Sequence, residues 1–151
     1  MERSSFKFSH PKLHHVGLVV KDIDKAMAYF ESIGIGPFRV GDQRKSTIPF
    51  IGELHGKPAE WKTTISNADL GGVELELLEP TEGNQALKES LDTGGEGLHH
   101  IGFLVENLSA AEVKGKKVGL KVWTKSRMKG TNFLYFEPSE TGKLAIEFRN
   151  P

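Results

Sequence analysis

A chain of 151 residues with 37 % hydrophobic and 26 % charged side chains has the size and composition of one compact domain, or of two small modules sharing a core. Its 20 Lys and Arg balance 20 Asp and Glu, so no net field draws nucleic acid or an anionic membrane, and neither is expected as a partner. Zero cysteines removes disulfides, thiolate metal sites and cysteine nucleophiles together, and without a membrane-length apolar run or a signal-peptide core a cytoplasmic location is the expectation.

Residues 1–11 are polar and charged and read as an N-terminal tail. Leu13 to Val20, short, leucine-rich and β-branched, predicts a strand. Asp22 or Asp24 caps a helix running to about Ile33, with Ala26, Tyr29, Phe30 and Ile33 on one face, and Gly34 with Gly36-Pro37 stops it. Pro37 to Val40 predicts a second strand. Gly41, Pro49, Gly52, Gly56 and Pro58 then predict a long loop or lid over 41–59, with a short strand near Ile48 to Ile51. Trp61 to Ser66 and Val73 to Leu78 predict two strands around a turn at Asn67 to Gly72. The order over about 12–80 is therefore β-α-β-β-β. A connector over 81–97 carries a short helix (Asn84 to Leu91) and a glycine break. From about 98 to 150 the order returns: a strand at His99 to Val105, a helix at Ser109 to Val118, and strands at Leu120 to Thr124, Thr131 to Phe136 and Leu144 to Arg149. Glu137 to Gly142 is the hairpin connection between the last two.

The return is written in the residues themselves. Leu13-His14-His15-Val16-Gly17-Leu18-Val19-Val20 recurs as Leu98-His99-His100-Ile101-Gly102-Phe103-Leu104-Val105, and Gly72-Val73-Glu74-Leu75-Glu76-Leu77 resembles Lys143-Leu144-Ala145-Ile146-Glu147-Phe148. An internal repeat outweighs any single propensity, and it predicts an α+β fold of two βαβββ modules in one domain over 12–151.

Side chains alternate across a strand. Val16, Leu18 and Val20 are continuously apolar and should pack on helices, which turns His15 and Gly17 to the other, inner face; the same parity turns His100 and Gly102 inward. Val73, Leu75 and Leu77 form an outer apolar set, so Glu74 and Glu76 face inward; Leu144, Ile146 and Phe148 do the same for Ala145 and Glu147. His15, Glu76, His100 and Glu147 thus share one surface. Buried carboxylates without partners are costly, and two glutamates with two imidazoles relieve that cost by sharing a divalent cation. This N2O2 set suits Zn, Ni, Co, Mn or Fe without choosing among them, and leaves room for two substrate oxygens or waters. Such a cation polarises a carbonyl, and a ligating glutamate can also act as the base that takes the α-proton.

With Leu13-His14-His15-Val16-Gly17, Glu74-Leu75-Glu76-Leu77-Leu78-Glu79-Pro80, Gly97-Leu98-His99-His100-Ile101-Gly102, Phe136-Glu137-Pro138 and Ala145-Ile146-Glu147-Phe148, the chain resembles the vicinal-oxygen-chelate superfamily from Leu13 to Asn150. That superfamily includes glyoxalase I, methylmalonyl-CoA epimerase, extradiol dioxygenases and bleomycin-resistance proteins. The resemblance implies paired modules forming a cupped mixed sheet around a metal, with His15, Glu76, His100 and Glu147 on the four ligand positions. The connector and its Gly-Leu-His-His are most similar to the epimerases. It implies an isomerase or epimerase with Glu147 as catalytic base, acting on a small molecule with two vicinal oxygens (an acyl-CoA or a glutathione adduct), in a homodimer. Glyoxalase I-type lactoylglutathione lyase uses the same ligand set. A non-catalytic, bleomycin-resistance-like binding protein is the alternative of another class. An extradiol dioxygenase is less favoured, because Glu76 would fill a position that catechol or oxygen needs. The epimerases carry a second glutamate base near positions 61–64, where the nearest inward candidates here are Lys62 and Glu60; Glu76 is the other candidate for the second base.

The remaining features read as structural. His10, His14, His55 and His99 are taken as satisfied or surface residues, and Glu74 and Glu79 as solvated or rim charges. Lys125 to Gly130 is a solvated loop before it is a holder of phosphate or of a thioester-linked acid. Parity does not decide whether Trp61, Phe133 and Tyr135 line a pocket or the core.

Overall fold

The doubled sequence folds as two copies of one element order. In the computed structural model, which describes residues 10–138 and 142–151, the first copy is β1 (Lys12–Val19), α1 (Ile23–Ser32), β2 (Ser46–Leu54), β3 (Lys57–Asp69) and β4 (Glu74–Glu82). After α2 (Ala86–Gly94) the second copy is β5 (Gly97–Leu104), α3 (Leu108–Lys117), β6 (Val122–Ser126), β7 (Phe133–Phe136) and β8 (Ala145–Arg149). Most of the expected tail and Ser139 to Thr141 of the expected hairpin connection lie outside the described residues. Among the described residues no helix is long and apolar enough to cross a membrane.

The strands run β1-β4-β3-β2-β6-β7-β8-β5 and close on themselves, because β1 also pairs with β5. β1–β4 and β5–β8 are parallel; every other pair is antiparallel. At the β2–β6 seam only Gly52 to Leu54 are paired with Thr124 to Ser126, and a Cβ at Gly52 would strike the Lys125 backbone. The parity argument holds on the outer face: Leu75, Leu77 and Val20 bury against Ile23 and Met27 of α1, with Leu18 packed beside them. Inside, Val19 and Leu78 meet Leu87, so α2 closes one end of the barrel.

Three expectations are corrected. The segment over 41–59 is not one long loop or lid. Beyond 41–45, the expected short strand near Ile48 to Ile51 extends into a long hairpin, with β2 and β3 in register from Ser46 opposite Ile65 to Leu54 opposite Lys57. Its tip, His55-Gly56, has φ of 51° and 77°, as a two-residue type I′ turn requires. Pro49 is tolerated because β2 is unpaired on its other side there, so no amide donor is missed. The expected strand at Pro37 to Val40 shrinks to two isolated bridges, Arg39 to Asn67 and Val40 to Gln43, since the chain bends back at Gly41 with φ of 58°. Finally, the buried face of α1 is Ile23 and Met27, flanked by Ala26 and Phe30, whereas Tyr29 and Ile33 are 63 % and 61 % exposed. Tyr29 lies about 120° around the helix from Ile23 at about 100° per residue. Asp22 caps this helix through the Lys25 amide.

This assignment of the α1 face has a direct measure in chemical unfolding. Met27→Ala should cost about 2–5 kcal/mol, as a fully buried side chain does, while Ile33→Ala stays within about 0.5 kcal/mol. A larger loss at Ile33 than at Met27 would place the buried face where the helical spacing alone puts it.

Candidate metal centre

The centre is built on two rungs of the sheet. β1 and β5 run antiparallel with His15 opposite Gly102 and Gly17 opposite His100. β4 lies parallel to β1 with Glu76 beside Gly17, and β8 lies parallel to β5 with Glu147 beside Gly102. Each rung therefore reads Glu-Gly-His across three strands, once from each half. The glycines are a steric requirement: a Cβ on Gly17 would occupy the His100 ring, and one on Gly102 the His15 ring. With the glycines in place, both imidazoles lean over the facing strand and meet at the junction of the halves.

There His15 Nε2 is 3.0 Å from His100 Nε2 and 3.1 Å from Glu147 Oε2. His100 Nε2 is 3.7 Å from Glu147 Oε1, and Glu76 Oε1 is 3.9 Å from both imidazole nitrogens. Bonds of about 2.1 Å to a central cation put neighbouring ligand atoms about 3.0 Å apart in an octahedron and about 3.4 Å apart in a tetrahedron, and trans atoms about 4.2 Å apart. Ligand atoms of His15, Glu76 and His100 lie within 4.8 Å of one another, so these three fit a divalent cation, and Glu147 contacts both imidazoles beside them. His15 is 1 % and Glu76 14 % exposed by side chain. His15 Nδ1 lies 2.8 Å from His14 Nδ1, and His100 Nδ1 lies 2.9 Å from His99 Nδ1, which leaves each Nε2 for the centre.

The electrostatics are those of four ionisable groups out of water. Burial drives His100 down to about 3, and burial drives Glu76 up to about 7. His15 loses by burial but gains more from the Glu147 carboxylate and from Glu76, and ends above its ordinary value. Burial would raise Glu147, yet His15 and His100 hold it below the usual carboxylate range.

The inner surface lines a cavity of about 330 Å³ beside these groups. Glu76 and Glu147 line it, as do Trp61, Phe133 and Tyr135, which settles their placement. Lys62 and Glu60 do not: β3 turns Trp61 and Thr63 inward, and Lys62 pairs with Glu82 on the outside. His99 is no surface residue. It is buried, stacked on Trp123 with ring centroids 5.3 Å apart, and burial lowers it to about 4. His55 binds the Glu89 carboxylate at 2.9 Å, and that carboxylate also accepts from Trp123 Nε1, so the β2–β3 turn is tied to α2 and β6. Lys125 and Arg127 are paired with Glu53, while Met128 and Lys129 reach the cavity. Sequence reasoning placed Gly17 and Gly102 inward and left Tyr135 between pocket and core without assigning them a role, and it missed Arg149. The Gly17 and Gly102 pair was visible as His-x-Gly in both repeats. Tyr135, stacked on His100 at 4.7 Å and against Glu147, and Arg149, two residues beyond Glu147, carried no motif signal.

Residues 14–136 match the family model described as the glyoxalase/bleomycin resistance protein/dioxygenase superfamily. The chain is 27 % identical over 140 residues to the mitochondrial methylmalonyl-CoA epimerase of Homo sapiens, covering 90 % of this chain and 72 % of that protein. It is 26 % identical over 144 residues to the uncharacterized protein YqjC of Bacillus subtilis, covering 93 % and 92 %. Among solved structures, hypothetical protein BH1468 from Bacillus halodurans superposes with a TM-score of 0.64 at 20 % identity, over 95 % of this chain and 96 % of that one. Methylmalonyl-CoA epimerase from Mycobacterium tuberculosis gives 0.61 at 20 % identity, over 100 % and 93 %.

The glycine constraint can be measured without any metal. Gly102→Ala should destabilise the protein by about 1–3 kcal/mol through overpacking. Removing the ring it strikes should recover much of that loss, so the double-mutant cycle with His15→Ala should show coupling of about 1 kcal/mol or more. Strict additivity would disprove the contact.

Proposed function

The chain belongs to the glyoxalase/bleomycin resistance protein/dioxygenase superfamily, and from that premise we propose that it is a metal-dependent isomerase or epimerase that moves the proton α to a carbonyl, as methylmalonyl-CoA epimerase does. One observation carries the reading: two imidazole nitrogens 3.0 Å apart, one from each half, each have both carboxylates within 3.1–3.9 Å, beside the inner cavity. His15 and His100, through Nε2, and Glu76 and Glu147 hold the cation. When bound, a divalent cation supplies a Lewis acid for the substrate carbonyl. Glu147 takes the α-proton. It suits that role because its neighbours hold it ionised, and because Tyr135 and the buried wall keep bulk water from it. Glu76 is the second carboxylate facing the same space, and it replaces Lys62 and Glu60 as the candidate to deliver a proton to the opposite face. The similarity to epimerases over nine-tenths of the chain supports the same reaction class.

Purified protein should carry a stoichiometric divalent cation by elemental analysis, and Glu147→Gln should lose it. With methylmalonyl-CoA in deuterated water, the α-carbon should gain deuterium, and Glu147→Gln should slow that exchange by about 10²–10⁴-fold. Turnover of a glutathione hemithioacetal without this exchange would instead assign a lactoylglutathione lyase. Tight ligand binding with neither turnover nor metal would assign a binding protein.

Cation uptake should also depend on pH with a fixed sign. Glu76, raised to about 7, and His15, raised above its usual value, each hold a proton in the metal-free protein that must leave before they ligate. Apparent affinity should therefore fall as the pH drops below about 7, by about tenfold per unit for each proton displaced, and level off once the pH has passed both groups. Titration with cobalt(II) at several pH values reads this. A pH-independent affinity would mean that neither group ligates.

A further inference from the structure

Among the described residues, the buried side-chain N and O atoms without a hydrogen-bond partner are Asn67 Oδ1, His99 Nε2 and Arg149 Nε. Two of these, the Asn67 acceptor and the Arg149 donor, belong to residues that line the cavity. Arg149 is the next inward residue of β8 after Glu147, and Asn67 is the β3 residue in register with Glu76, so both stand at the edge of the proposed metal centre. No carboxylate among the described residues pairs with Arg149, although Glu74, Glu76 and Glu147 line the same cavity. Arg149 is half-buried with its Nε shielded, and its charge acts on Glu76 and Glu147 without an ion-pair contact to either, so its fork remains for a carboxylate in two-point contact.

The adjoining wall, which begins at Phe133 beside Arg149, has the contrary chemistry. Trp61 stacks on Phe50, with centroids 5.6 Å apart and planes 20° off parallel. Phe50 meets Phe133 edge-on at 5.5 Å, Phe133 meets Tyr135 at 5.3 Å, and Tyr135 stacks on His100 at 4.7 Å. A continuous aromatic surface therefore runs from β3 to the proposed metal ligands. The volume, about 330 Å³, is at the lower end of the roughly 300–1,000 Å³ of small-molecule sites. It admits a small acid or the acyl head of a thioester, with any nucleotide left outside.

We infer that this cavity selects a small organic acid bearing a flat apolar substituent. Its carboxylate is clamped by Arg149, its ring lies on Phe50 and Trp61, and an N–H or O–H of the acid, where it carries one, donates to Asn67 Oδ1. The direction in which its oxygens point rests on the metal reading above; the clamp and the aromatic wall do not. Substrate preference then lies in Arg149 and Phe50, outside the four ligands.

The test uses phenylmalonate and methylmalonate, which share one head and differ only in the ring, titrated calorimetrically into cation-loaded and chelator-stripped protein. Phenylmalonate should bind about tenfold more tightly than methylmalonate, and its monoamide should lose about tenfold. Arg149→Gln should lose about tenfold toward phenylmalonate with its metal content unchanged. Arg149→Lys, which keeps the stem and the charge but not the fork, should fall between. Phe50→Leu should narrow the gap between the two malonates. Equal binding of phenylmalonate and methylmalonate, or undiminished binding by both Arg149 variants, overturns the inference. Metal content of the same samples reads the proposed function separately. Protein that takes up no cation yet ranks the acids this way refutes the metal reading and keeps this one; protein that loads cation without the ranking does the reverse.

Discussion

The structure depends on the contact between β1 and β5, where each imidazole lies on the glycine of the facing strand. That one antiparallel ladder brings the two halves together and brings their histidines to 3.0 Å. It could not form with any side chain at Gly17 or Gly102, and neither carboxylate would matter without it: Glu76 and Glu147 reach the centre only because their strands lie parallel to β1 and β5, one rung from those glycines. The arrangement opposes stability in isolation. Two imidazoles and two carboxylates are held out of water, and burial moves His100 and Glu76 far from their ordinary values. A fold keeps such a cluster when the surrounding sheet over-determines it and when a shared counter-charge relieves it.

The cluster and the cavity divide the barrel interior between them. On the outer face, α1 seals Leu75 and Leu77; inside, α2 sets Ala86 and Leu87 across one end. The polar atoms that remain are grouped beside the cluster, and the apolar ones on the β2–β3 and β7 wall. Gln85 shows how complete the satisfaction is elsewhere: its side-chain oxygen accepts from Thr63, and its amide donates to the Lys62 and Glu82 carbonyls. Against that background, an unpaired acceptor on Asn67 and an unpaired donor on Arg149 stand out as places where a ligand completes the bonding.

What was legible in the sequence followed from alternation and repetition. Period-two parity, anchored on apolar outer faces, brought His15, Glu76, His100 and Glu147 to one surface, because strands with one face on a helix cannot slip by a residue. Glycine and proline, read as loop signals, mislead over 46–59. Gly52 and Gly56 in fact serve a sheet crossing and a hairpin turn, and Pro49 sits where β2 is paired on one side alone. Lys62 was placed inward for want of a phase reference: β3 is half-buried on both faces, and only its register with β2 and β4 fixes Trp61 and Thr63 as the inner residues. The α1 face failed for a related reason. Tyr29 and Ile33 satisfy helical spacing, but they lie on the flank that no strand covers.

The duplication itself explains why the centre was easier to find than its selectivity. Register equates the halves position by position: Glu76 stands beside Gly17 as Glu147 stands beside Gly102, Glu74 beside His15 as Ala145 beside His100, and Leu78 beside Val19 as Arg149 beside Leu104. The metal-facing rung is identical in both halves, so repetition reveals it. One step to either side the halves diverge. The first half carries a carboxylate and then a buried leucine packed on α2; the second carries a buried alanine and then an arginine whose buried Nε has no partner. A ligand held at the shared rung therefore meets Leu78 beyond the first half's rung and Arg149 beyond the second's. A symmetric cluster alone would bind a metal without telling the two ends of a substrate apart, and orientation enters the site only through the positions where the repeat is broken.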